Sequence, residues 1–493
     1  MKKWTALILA LIVLLSAVAC ASGDNPADTG TGTASGTSGE TVGKLDANGF
    51  VEDDLPDDLD FNGATVRVLY PSEVLTEFFC EEPGEDIVSQ AVYATNLAVE
   101  ERLHVDYQVD HRNGYVTWND RVAYQNHITQ TFASGDDIWD IVGELVGHMA
   151  TVIFNGCVID LNSVPYIELD KPWWMQTLRS DATVNGRLYL VAGDASLSLL
   201  KNTTSLLYNK ALAEDLQLGD IQKLALDGGW TKDVMKQYSL KAYSALDPAN
   251  PDLSTDTFGF GVYNDNHIEA FKSAFDFPMM TAKGGEYEFT YDCERAVEAV
   301  SWLCDFFHAN KGNHFGNGDY KQVGEAFMAD RMLFCTATWD LTVDVFNEFN
   351  GGYSILPLPK WSEDEEYSTQ PRGVYITYGI MRTSNNVEVS GAFLEAVASK
   401  SYRSLTPVYF EQALKVKYSD AEKKTMDLFN LIHDSVKIDF GYTFSLFFGL
   451  ESSLKNAVRL NLPYWSSNMA SGKKTFMENY DRFFETVAGL EDE

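Results

Sequence analysis

The sequence predicts an α/β protein, and two stretches of the chain carry that prediction. Between residues 65 and 142, strand patterns alternate with helix patterns, as in parallel strands joined by right-handed crossovers. Between residues 327 and 360, a short amphipathic helix precedes an apolar strand, and a second strand ends at Pro357-Leu358-Pro359. Because open α/β sheets bind ligands beyond the carboxyl ends of their strands, residues at those ends are the first candidates for a site.

The first stretch begins with a strand in which Val66, Val68 and Tyr70 fall on one face, the two-residue period of a strand. The helix that follows has Val92 and Val99 at helical spacing. The predicted strands of this stretch are 65–70, 104–109 and 138–142, and its predicted helices are 89–103 and 126–133.

Further along, Thr231 is a plausible N-cap for a helix that begins at Lys232. Residues 291–309 carry one continuous apolar stripe and form the clearest predicted helix. The other predicted elements are a strand at 187–191, a strand running into a helix at 206–210, and helices at 391–400, 422–434 and 472–487.

The stretch 327–360 places Trp339 and Asp340 directly after the apolar run 332–335. A second helix is expected from there to about Phe349, followed by a turn at Gly351-Gly352 and the strand Tyr353–Leu356. We expect Trp339 to be an exposed ring that the strand presents to a cleft. A tryptophan in the hydrophobic core is the alternative.

The bulk composition limits the possible partners. A chain of 493 residues has room for two or three domains. Its ten tryptophans and 24 tyrosines exceed what cores need, and such rings suit surfaces that are apolar on one face and polar at the edge. The net charge of −35 argues against nucleic acids and anionic lipid headgroups as partners, because the electrostatic interaction would be repulsive.

Residues 1–20 have the pattern of an export signal: Lys2-Lys3, an apolar run, and small residues before Cys20. The sequence Ala17-Val18-Ala19-Cys20 resembles the bacterial lipoprotein box, which implies that Cys20 carries the lipid and anchors the protein outside the cytoplasmic membrane. Ordinary secretion after cleavage near Ala19 is the alternative. Residues 21–60 are rich in Gly, Ser, Thr and acids, and we predict a flexible tether.

Five further cysteines follow: Cys80, Cys157, Cys293, Cys304 and Cys335. An odd number without C-x-x-C spacing predicts neither a disulfide framework nor a zinc site. Cys293 and Cys304 are expected as buried thiols on one helix, roughly 16 Å apart and out of disulfide reach.

Signatures of catalysis are missing from the sequence. It contains no nucleophile elbow, phosphate-binding loop, dinucleotide fingerprint or H-E-x-x-H motif, and its eight histidines have no metal-ligand spacing. We therefore expect no catalytic residue, no cofactor and no metal. With 72 acidic residues, a glycosidase pair cannot be named from the sequence.

Aromatic and acidic residues instead recur at predicted strand ends and helix starts. A sugar offers apolar faces to such rings and hydroxyl groups to carboxylates. The candidate ligand-binding residues placed in this way are Tyr70, Glu73, Glu144, Trp174, Asp194, Trp230, Trp339, Asp340 and Tyr375. For each of them, a core or surface role is the alternative.

With these features, the chain resembles the family 1 extracellular solute-binding proteins, the sugar-binding lipoproteins of ABC importers, in the long form found in gut Firmicutes. Besides the helix and strand that begin near Phe327, the matching segments are 63–69 (GATVRVL), 94–102 (ATNLAVEER), 135–140 (GDDIWD), 172–174 (PWW), 208–210 (YNK), 229–231 (GWT), 356–360 (LPLPK) and 407–415 (PVYFEQALK). One departure is Asp330-Arg331, where the family usually has Gly-Lys.

The resemblance implies a two-lobed periplasmic-binding-protein-like fold of type II topology, with a ligand cleft between the lobes and three hinge crossings. Lobe 1 would comprise 61–194 and 372–417, and lobe 2 would comprise 195–371 and 418–493. Arg372 becomes a further candidate ligand-binding residue, since it and Asp194 would lie near hinge crossings. Glu144 and Trp339 would face each other across the cleft.

The expected function is that of a lipid-anchored, monomeric, non-enzymatic binding protein. It would capture a small solute, with a carbohydrate as the expected class, and deliver it to an ABC-transporter permease. Three alternatives remain: a lipoprotein glycosidase or lyase, a binding protein for a peptide or cationic solute, and an adhesion or sensory protein. Product formation would favour the enzyme, and a cleft crowded with carboxylates without an aromatic platform would favour the cation.

Overall fold

The structure is a computed structural model that describes residues 44–283, 286–316, 318–346, 352–415 and 423–490. The predicted signal peptide, Cys20 and residues 21–43 of the predicted tether lie outside this range, as do Phe349 and Gly351. Among the described residues, no helix is both long enough and apolar enough to cross a lipid bilayer.

Eleven strands are described within these residues, and they form two larger sheets and one hairpin. The first sheet has the order β11-β3-β1-β2, the second has the order β10-β4-β9-β5-β8, and β6 pairs with β7. The strands are β1 (Ala64–Pro71), β2 (Val105–Arg112), β3 (Ile141–Leu145), β4 (Thr204–Asn209), β5 (Phe258–Val262), β6 (Met280–Lys283), β7 (Glu286–Phe289), β8 (Asn313–Phe315), β9 (Met332–Thr338), β10 (Tyr353–Leu356) and β11 (Ile376–Ile380).

The helices cover the two larger sheets. They are α1 (Ile87–Leu103), α2 (Trp118–Ala133), α3 (Val146–Phe154), α4 (Leu178–Asp181), α5 (Leu197–Lys201), α6 (Lys210–Asp215), α7 (Ile221–Leu226), α8 (Lys232–Ala242), α9 (Phe271–Ala274), α10 (Glu294–His308), α11 (Tyr320–Met328), α12 (Trp339–Asp344), α13 (Val387–Lys400), α14 (Thr406–Lys415), α15 (Lys423–Asp434), α16 (Phe440–Thr443), α17 (Ser445–Phe448), α18 (Ser453–Arg459) and α19 (Trp465–Gly489). Short 3₁₀ turns include Ser72–Glu77 and Asp265–Ala270, and Ser401–Leu405 is a π-helix.

The first sheet, with its helices, is called lobe 1 below. Strand β1 pairs in parallel with β2 along its full length and with β3, whereas β11 is antiparallel to β3. The predicted parallel crossovers of this region are therefore confirmed. The carboxyl ends of β1, β2 and β3 share one edge with the first residue of β11, and that edge carries the loops of the candidate site.

The second sheet, with its helices, is called lobe 2. Strands β5, β8 and β9 are parallel, while β4 runs antiparallel to β9 with Thr204 beside Thr338. Strand β10 is antiparallel to β4. The ends of β5 and β9 therefore lie at one edge together with the beginning of β4. The predicted α/β class is confirmed.

Some predicted elements are displaced in the structure. The strand predicted at 138–142 is Ile141–Leu145. Asp140 precedes it, and its carboxylate accepts hydrogen bonds from the backbone N–H (2.9 Å) and Nε (3.0 Å) of Arg67, while its own backbone N–H donates to the Arg67 carbonyl (2.8 Å). The predicted strand 187–191 is wrong, since only the isolated bridges Val184↔Arg187 and Val191↔Tyr378 form there.

The predicted tether is shorter than expected, because residues 44–60 pack against the folded body. The buried Asp53 carboxylate forms ion pairs with Arg102 (2.6 Å) and Arg403 (3.2 Å), and it accepts a hydrogen bond from Ser399 (2.7 Å). The neighbouring Leu55 is buried. Low apolar content predicted disorder here, but charge pairing with two distant arginines anchors the segment.

All five cysteines in the described residues are free thiols, as predicted. Cys304 is buried on α10, but the prediction that Cys293 is buried there is wrong. Cys293 is half-buried and precedes the helix, where its sulfur accepts a hydrogen bond from the Ala296 N–H (3.4 Å) as an N-cap.

The turn that departs from the resembling family has a direct explanation. Asp330 adopts a left-handed backbone conformation with φ 56°, which glycine reaches without strain and Asp tolerates. Its carboxylate accepts a hydrogen bond from Asn209 Nδ2 (2.6 Å) at the end of β4. The side chain therefore links the turn to the neighbouring strand.

Candidate functional site

Two segments of the chain cross side by side between the lobes. Thr203 and Pro371 form an antiparallel bridge, and the Arg372 N–H donates to the Asn202 carbonyl (2.9 Å). The Trp339 N–H donates to the Thr203 carbonyl (3.2 Å), which joins the end of β9 to the same point. These residues form the hinge. The third crossing predicted near residue 417 falls outside the described residues.

Tyr115 fixes a loop of lobe 1 against the hinge. Its hydroxyl donates to the Val374 carbonyl (2.8 Å), and Asn202 Nδ2 donates to that hydroxyl (3.2 Å). The exposed Glu73 carboxylate accepts the N–H groups of Gly114 (3.0 Å) and Tyr115 (3.2 Å). Partial burial acts to raise the pKa of Glu73, but these hydrogen bonds lower it overall. Glu73 thus holds the loop that leads into α2.

Helix α2 presents an aromatic ring and a cation on one face. Trp118 is 57% exposed, and its ring centroid lies 5.4 Å from that of His148 on α3. One turn later, Arg121 is half-buried, and its Nε donates to the Tyr115 carbonyl (2.6 Å). Thr117 caps the helix by accepting the Asp120 N–H (3.2 Å). Both side chains therefore lie at the carboxyl edge of the sheet of lobe 1.

Near the strand ends of both lobes lie buried polar atoms that have no hydrogen-bond partner among the described residues. They include Oε2 of Glu144, Nε2 of His148, Nε2 of His267 and Nε1 of Trp339. Most buried polar atoms in proteins have a partner, so each of these atoms calls for water or a ligand. Glu144 and His148 belong to lobe 1, whereas His267 and Trp339 belong to lobe 2.

The ionisation of these groups follows from their burial. Burial raises the pKa of Glu144 well above its ordinary value, against a smaller lowering by the Leu145 N–H and Arg121, so burial favours the protonated form of this group. Burial lowers the pKa of His148 to about 4, so its ring is neutral. Gln125 Oε1 lies 3.0 Å from Nδ1 of His148, which makes Nδ1 the donor and Nε2 an acceptor. A ligand hydroxyl could donate to that Nε2.

A cavity of about 30 Å³ lies between lobe 1, the hinge and the C-terminal helices. Its walls include Val146, Gly147, Gly373, Tyr375, Tyr442 and Glu451. A Cβ atom at Gly147 would come within 2.6 Å of the Leu446 side chain, so α3 and α17 meet closely here. The cavity can hold a few waters but no sugar ring, and ligand pockets are typically at least tenfold larger. Entry of a sugar therefore requires the lobes to separate.

A second group of polar side chains lies at the start of α12, the helix of lobe 2 that follows β9. Asp340 is half-buried and accepts hydrogen bonds from Thr338 Oγ1 (2.5 Å) and the Leu341 N–H (2.7 Å). Glu77 and Lys201 form an ion pair (2.8 Å) near it. Burial raises the pKa of Glu77, Lys201 opposes this, and the charge of Asp340 raises it further. Asp340 thus lies close enough to Glu77 to raise the pKa of that carboxyl group.

Trp339 is fully buried, so the expectation of an exposed ring is wrong. Helix α12 begins at Trp339 itself, and the ring packs against Phe410 (5.4 Å) on α14 and Phe429 (5.1 Å) on α15. Asp194 is also buried, with Thr406 donating to its carboxylate and His433 Nε2 at 3.9 Å. Trp339 contacts the hinge through its backbone N–H, which donates to the Thr203 carbonyl.

Three other predicted site residues pack within one lobe. Tyr70 is buried and stacks on Phe78 with centroids 4.9 Å apart. Trp230 is buried in lobe 2, where its Nε1 donates to the Pro357 carbonyl (3.0 Å). Trp174 is buried, and its Nε1 donates to Glu395 Oε2 (2.8 Å). The indole N–H groups of Trp230 and Trp174 are therefore already satisfied by the protein, whereas the buried Tyr70 hydroxyl has no hydrogen-bond partner among the described residues.

The remaining predicted residues lie at the hinge. Tyr375 is buried, lines the cavity, and offers its carbonyl to the Val146 N–H (3.0 Å). Arg372 is half-buried in the crossing itself. The structure thus brings Glu144, Arg372 and Tyr375 together with Trp118 and residues around it.

Sequence reasoning missed Trp118, Arg121, His148 and His267. The signal for the first two was present, because Thr117-x-x-Asp120 is a capping pattern that places the start of α2 at Trp118. The two histidines carry no local signal, since only the fold brings them to the strand ends.

A larger, open recess of about 520 Å³ lies on lobe 2, around Leu253 and Arg331. Its walls contain no tyrosine, tryptophan or phenylalanine, so it lacks a platform for a sugar. In all of the described residues, including this recess, no cluster of three or more His, Cys, Asp or Glu side chains is placed to hold a metal ion.

Several solved structures of binding proteins have the same architecture. The galacto-N-biose/lacto-N-biose I-binding protein of an ABC transporter from Bifidobacterium longum, in complex with lacto-N-biose, matches with a TM-score of 0.56 at 12% identity, over 86% of this chain and 98% of the other. A cyclo/maltodextrin-binding protein complexed with maltotetraose matches with a TM-score of 0.50 at 14% identity, over 86% and 97%.

An ABC transporter solute-binding protein from Thermotoga lettingae, bound with α-D-tagatose, matches with a TM-score of 0.51 at 13% identity, over 85% of this chain and 100% of the other. The chain has the two-lobed fold of periplasmic binding proteins. No protein-family model matches it, and no curated protein sequence does. At these identities the likeness establishes the fold alone.

Proposed function

We propose that this protein is an extracytoplasmic solute-binding protein that captures a carbohydrate between its lobes and delivers it to an ABC-transporter permease. The observation that carries the proposal is the exposed ring of Trp118 beside buried polar atoms of Glu144 and His148 that have no partner in the described protein. It combines an apolar platform with unsatisfied donors and acceptors.

This combination matches the chemistry of a sugar. A tryptophan ring packs against the apolar C–H face of a pyranose, and its polar neighbours bind the hydroxyl groups at the rim. Glu144 in its neutral form can donate a hydrogen bond, and Nε2 of His148 can accept one. The similar structures carry lacto-N-biose, maltotetraose and tagatose, which supports a carbohydrate as the ligand class here.

Lobe closure supplies the rest of the affinity. His267 lies on lobe 2 and Glu144 on lobe 1, so a ligand that contacts both favours the closed arrangement. We propose that Asp340, Arg372 and Tyr375 complete the site at the hinge. Trp339 would contribute its Nε1–H from beneath the site, while its ring supports the core.

We further propose that the mature protein is a monomer attached to the outer face of the cytoplasmic membrane through a lipid on Cys20. The support is the sequence Ala17-Val18-Ala19-Cys20 after an apolar run. Mass spectrometry of the mature N-terminal peptide tests this anchor. A diacylglyceryl-modified Cys20 is expected, and an unmodified N-terminus would refute it.

The expected result for Trp118→Ala is a loss of sugar affinity of at least tenfold. Stacking on an aromatic ring contributes about 1–3 kcal/mol for other planar or ring-shaped ligands, and tenfold corresponds to about 1.4 kcal/mol. Isothermal titration calorimetry of the full mature protein against lactose, maltose, lacto-N-biose and tagatose measures it. Tyr464→Ala removes a ring that is 76% exposed on the C-terminal segment and serves as the control.

Two outcomes would contradict this proposal. Equal sugar affinity in the Trp118 and Tyr464 variants would remove Trp118 from the site. Conversion of a bound sugar to a product during an overnight incubation, seen by mass spectrometry, would replace the binding protein with a glycosidase or lyase. We expect the sugar to be recovered unaltered.

A further inference from the structure

Two arginines reach the candidate cleft from different segments of the chain. Arg121 comes from α2 of lobe 1, and Arg372 follows Pro371 at the hinge. Both are half-buried. They are joined through the hinge network, because the Tyr115 carbonyl accepts from Arg121 (2.6 Å) and the Asn202 carbonyl accepts the Arg372 N–H (2.9 Å).

Neither guanidinium forms an ion pair with any carboxylate in the described part of the chain. The chain has 72 acidic residues against 37 basic ones, so a shortage of acids does not explain this. Other half-buried arginines do find such partners, as Arg67 does with Asp140 (2.6 Å) and Arg295 with Glu365 (2.9 Å). Arg331 and Arg459 are also half-buried without a carboxylate partner in the described residues, but Arg121 and Arg372 lie close enough together for their charges to interact.

The acids nearest to Arg121 form no ion pair with it. Burial raises the pKa of Glu144, and burial together with the charge of Glu269 raises the pKa of Glu451, which favours the uncharged form of both groups. Glu451 lines the cavity without a salt bridge to Arg121. The arginine therefore faces the cleft as a cation with its charge available.

Arg372 lies close enough to ionisable side chains of both lobes to shift their pKa values. Burial lowers the pKa of Arg121, and the charge of Arg372 lowers it further. Burial lowers the pKa of His267 on lobe 2 to about 3, and Arg372 adds to that shift. Two neighbouring cations in a partly dry site repel each other, which costs stability unless an anion lies between them.

We propose that the carbohydrate bound by this protein carries an anionic group, a carboxylate or a sulfate, and that this group binds between Arg121 and Arg372. The inference rests on the proposed function and narrows its substrate class to acidic sugars. A guanidinium presents a planar fork of N–H donors that pairs with two oxygens of a carboxylate or sulfate at once. Closure of the lobes would bring both forks to the same group.

The overall charge of the protein does not oppose this assignment. A net charge of −35 repels an anionic sugar at long range, but physiological salt screens that repulsion beyond about 8 Å. At contact distance the two arginines dominate. The proposed anion would also explain why this acidic protein keeps two arginines in its cleft without carboxylate partners.

Calorimetry with matched sugars tests the proposal on the full mature protein. Each of lactose, maltose and lacto-N-biose is compared with its analogue oxidised to a carboxylate at C6 of the non-reducing sugar, and with its sulfate ester at that position. We expect at least one charged probe to bind tenfold or more tightly than its neutral parent. Whether the carboxylate or the sulfate binds more tightly identifies the anion.

Substitution then assigns the preference to the two side chains. Arg121→Gln and Arg372→Gln are each expected to lower the affinity for the charged probe at least tenfold more than the affinity for the neutral parent. Arg179→Gln, which removes an exposed arginine paired with Asp170 (3.4 Å), serves as the control and should change neither affinity. Circular dichroism confirms that each variant is folded.

The outcomes separate this inference from the proposed function. Neutral and charged sugars bound equally well by the wild-type protein would overturn the inference and leave the carbohydrate-binding function in place, whatever the variants do. A charged preference that survives both substitutions would overturn the assignment to these arginines. Absence of binding to every sugar would refute the proposed function and the inference with it.

Discussion

Lys272→Met is expected to lower the free energy of unfolding by about 3–5 kcal/mol, the usual cost of leaving one member of a buried ion pair unpaired. Lys272 is fully buried, and its Nζ lies 2.6 Å from Glu269 Oε2 and 3.7 Å from the ring centroid of Tyr442. Without the lysine, Glu269 remains buried as an unpaired carboxylate. Because Tyr442 lines the cavity, the same change should also weaken sugar binding.

Urea denaturation at pH 7 measures this loss, and Lys283→Met provides a matched control. Lys283 forms an equally short ion pair with Glu288 (2.6 Å), but the two side chains are 74% and 57% exposed. Exposed pairs contribute little to stability, because water and salt screen the two charges. Similar losses of unfolding free energy for Lys272→Met and Lys283→Met would contradict the claim that burial makes the Lys272–Glu269 pair costly to break. We also expect Glu269→Gln added to Lys272→Met to recover part of the loss.

The second large effect concerns Glu395, a buried carboxylate on α13 that receives two indole N–H groups. Trp173 Nε1 donates to Oε1 (3.1 Å), and Trp174 Nε1 donates to Oε2 (2.8 Å). Burial raises the pKa of Glu395 to about 8, although the Trp174 hydrogen bond opposes that shift. The unfolded chain titrates near 4.5, the ordinary value for this group.

The sign of the pH dependence follows from these values. Between pH 4.5 and 8 the folded protein keeps a proton on Glu395 that the unfolded chain has released, so stability falls as pH rises through that window. A pKa shift of this size lowers the free energy of unfolding by about 5 kcal/mol between pH 4.5 and 8. In Glu395→Gln this contribution is absent, and we expect a flatter profile of unfolding free energy.

Denaturation of both proteins at pH 5, 6, 7 and 8 checks this prediction. Glu388→Gln makes the same change on the exposed side of α13 and is the control, since it should follow the wild-type profile. Glu395→Gln also leaves one indole N–H without an acceptor, which lowers stability by about 1–3 kcal/mol at every pH. A wild-type profile parallel to that of Glu395→Gln would refute the raised pKa.

Local patterns were enough to predict much of the fold. The alternation of Val66 and Val68 identified β1, and the apolar run 332–335 identified β9. The strand Tyr353–Leu356 has the predicted bounds, since glycine and proline mark its two ends. These elements bury residues that are close in sequence, so their period alone reveals them.

Long-range contacts account for the failures. Trp339 follows a strand as a cleft residue would, but Phe410 and Phe429 on distant helices cover its ring. Asp140 lies just before β3 rather than within it, and Arg67, 73 residues earlier, binds its carboxylate. No local pattern contains either contact, so the sequence suggested the region of the site but not which side chains face it.

The central claim is that the lobes close around a sugar, and small-angle X-ray scattering tests it most directly. The cavity of about 30 Å³ between Gly147, Tyr375 and Tyr442 admits no sugar, so a sugar must enter through a more open state, which we expect to predominate in the free protein in solution. We expect the radius of gyration to fall when a sugar that binds in calorimetry is added to saturation. The same radius of gyration with and without the saturating sugar would contradict closure as the mechanism of capture.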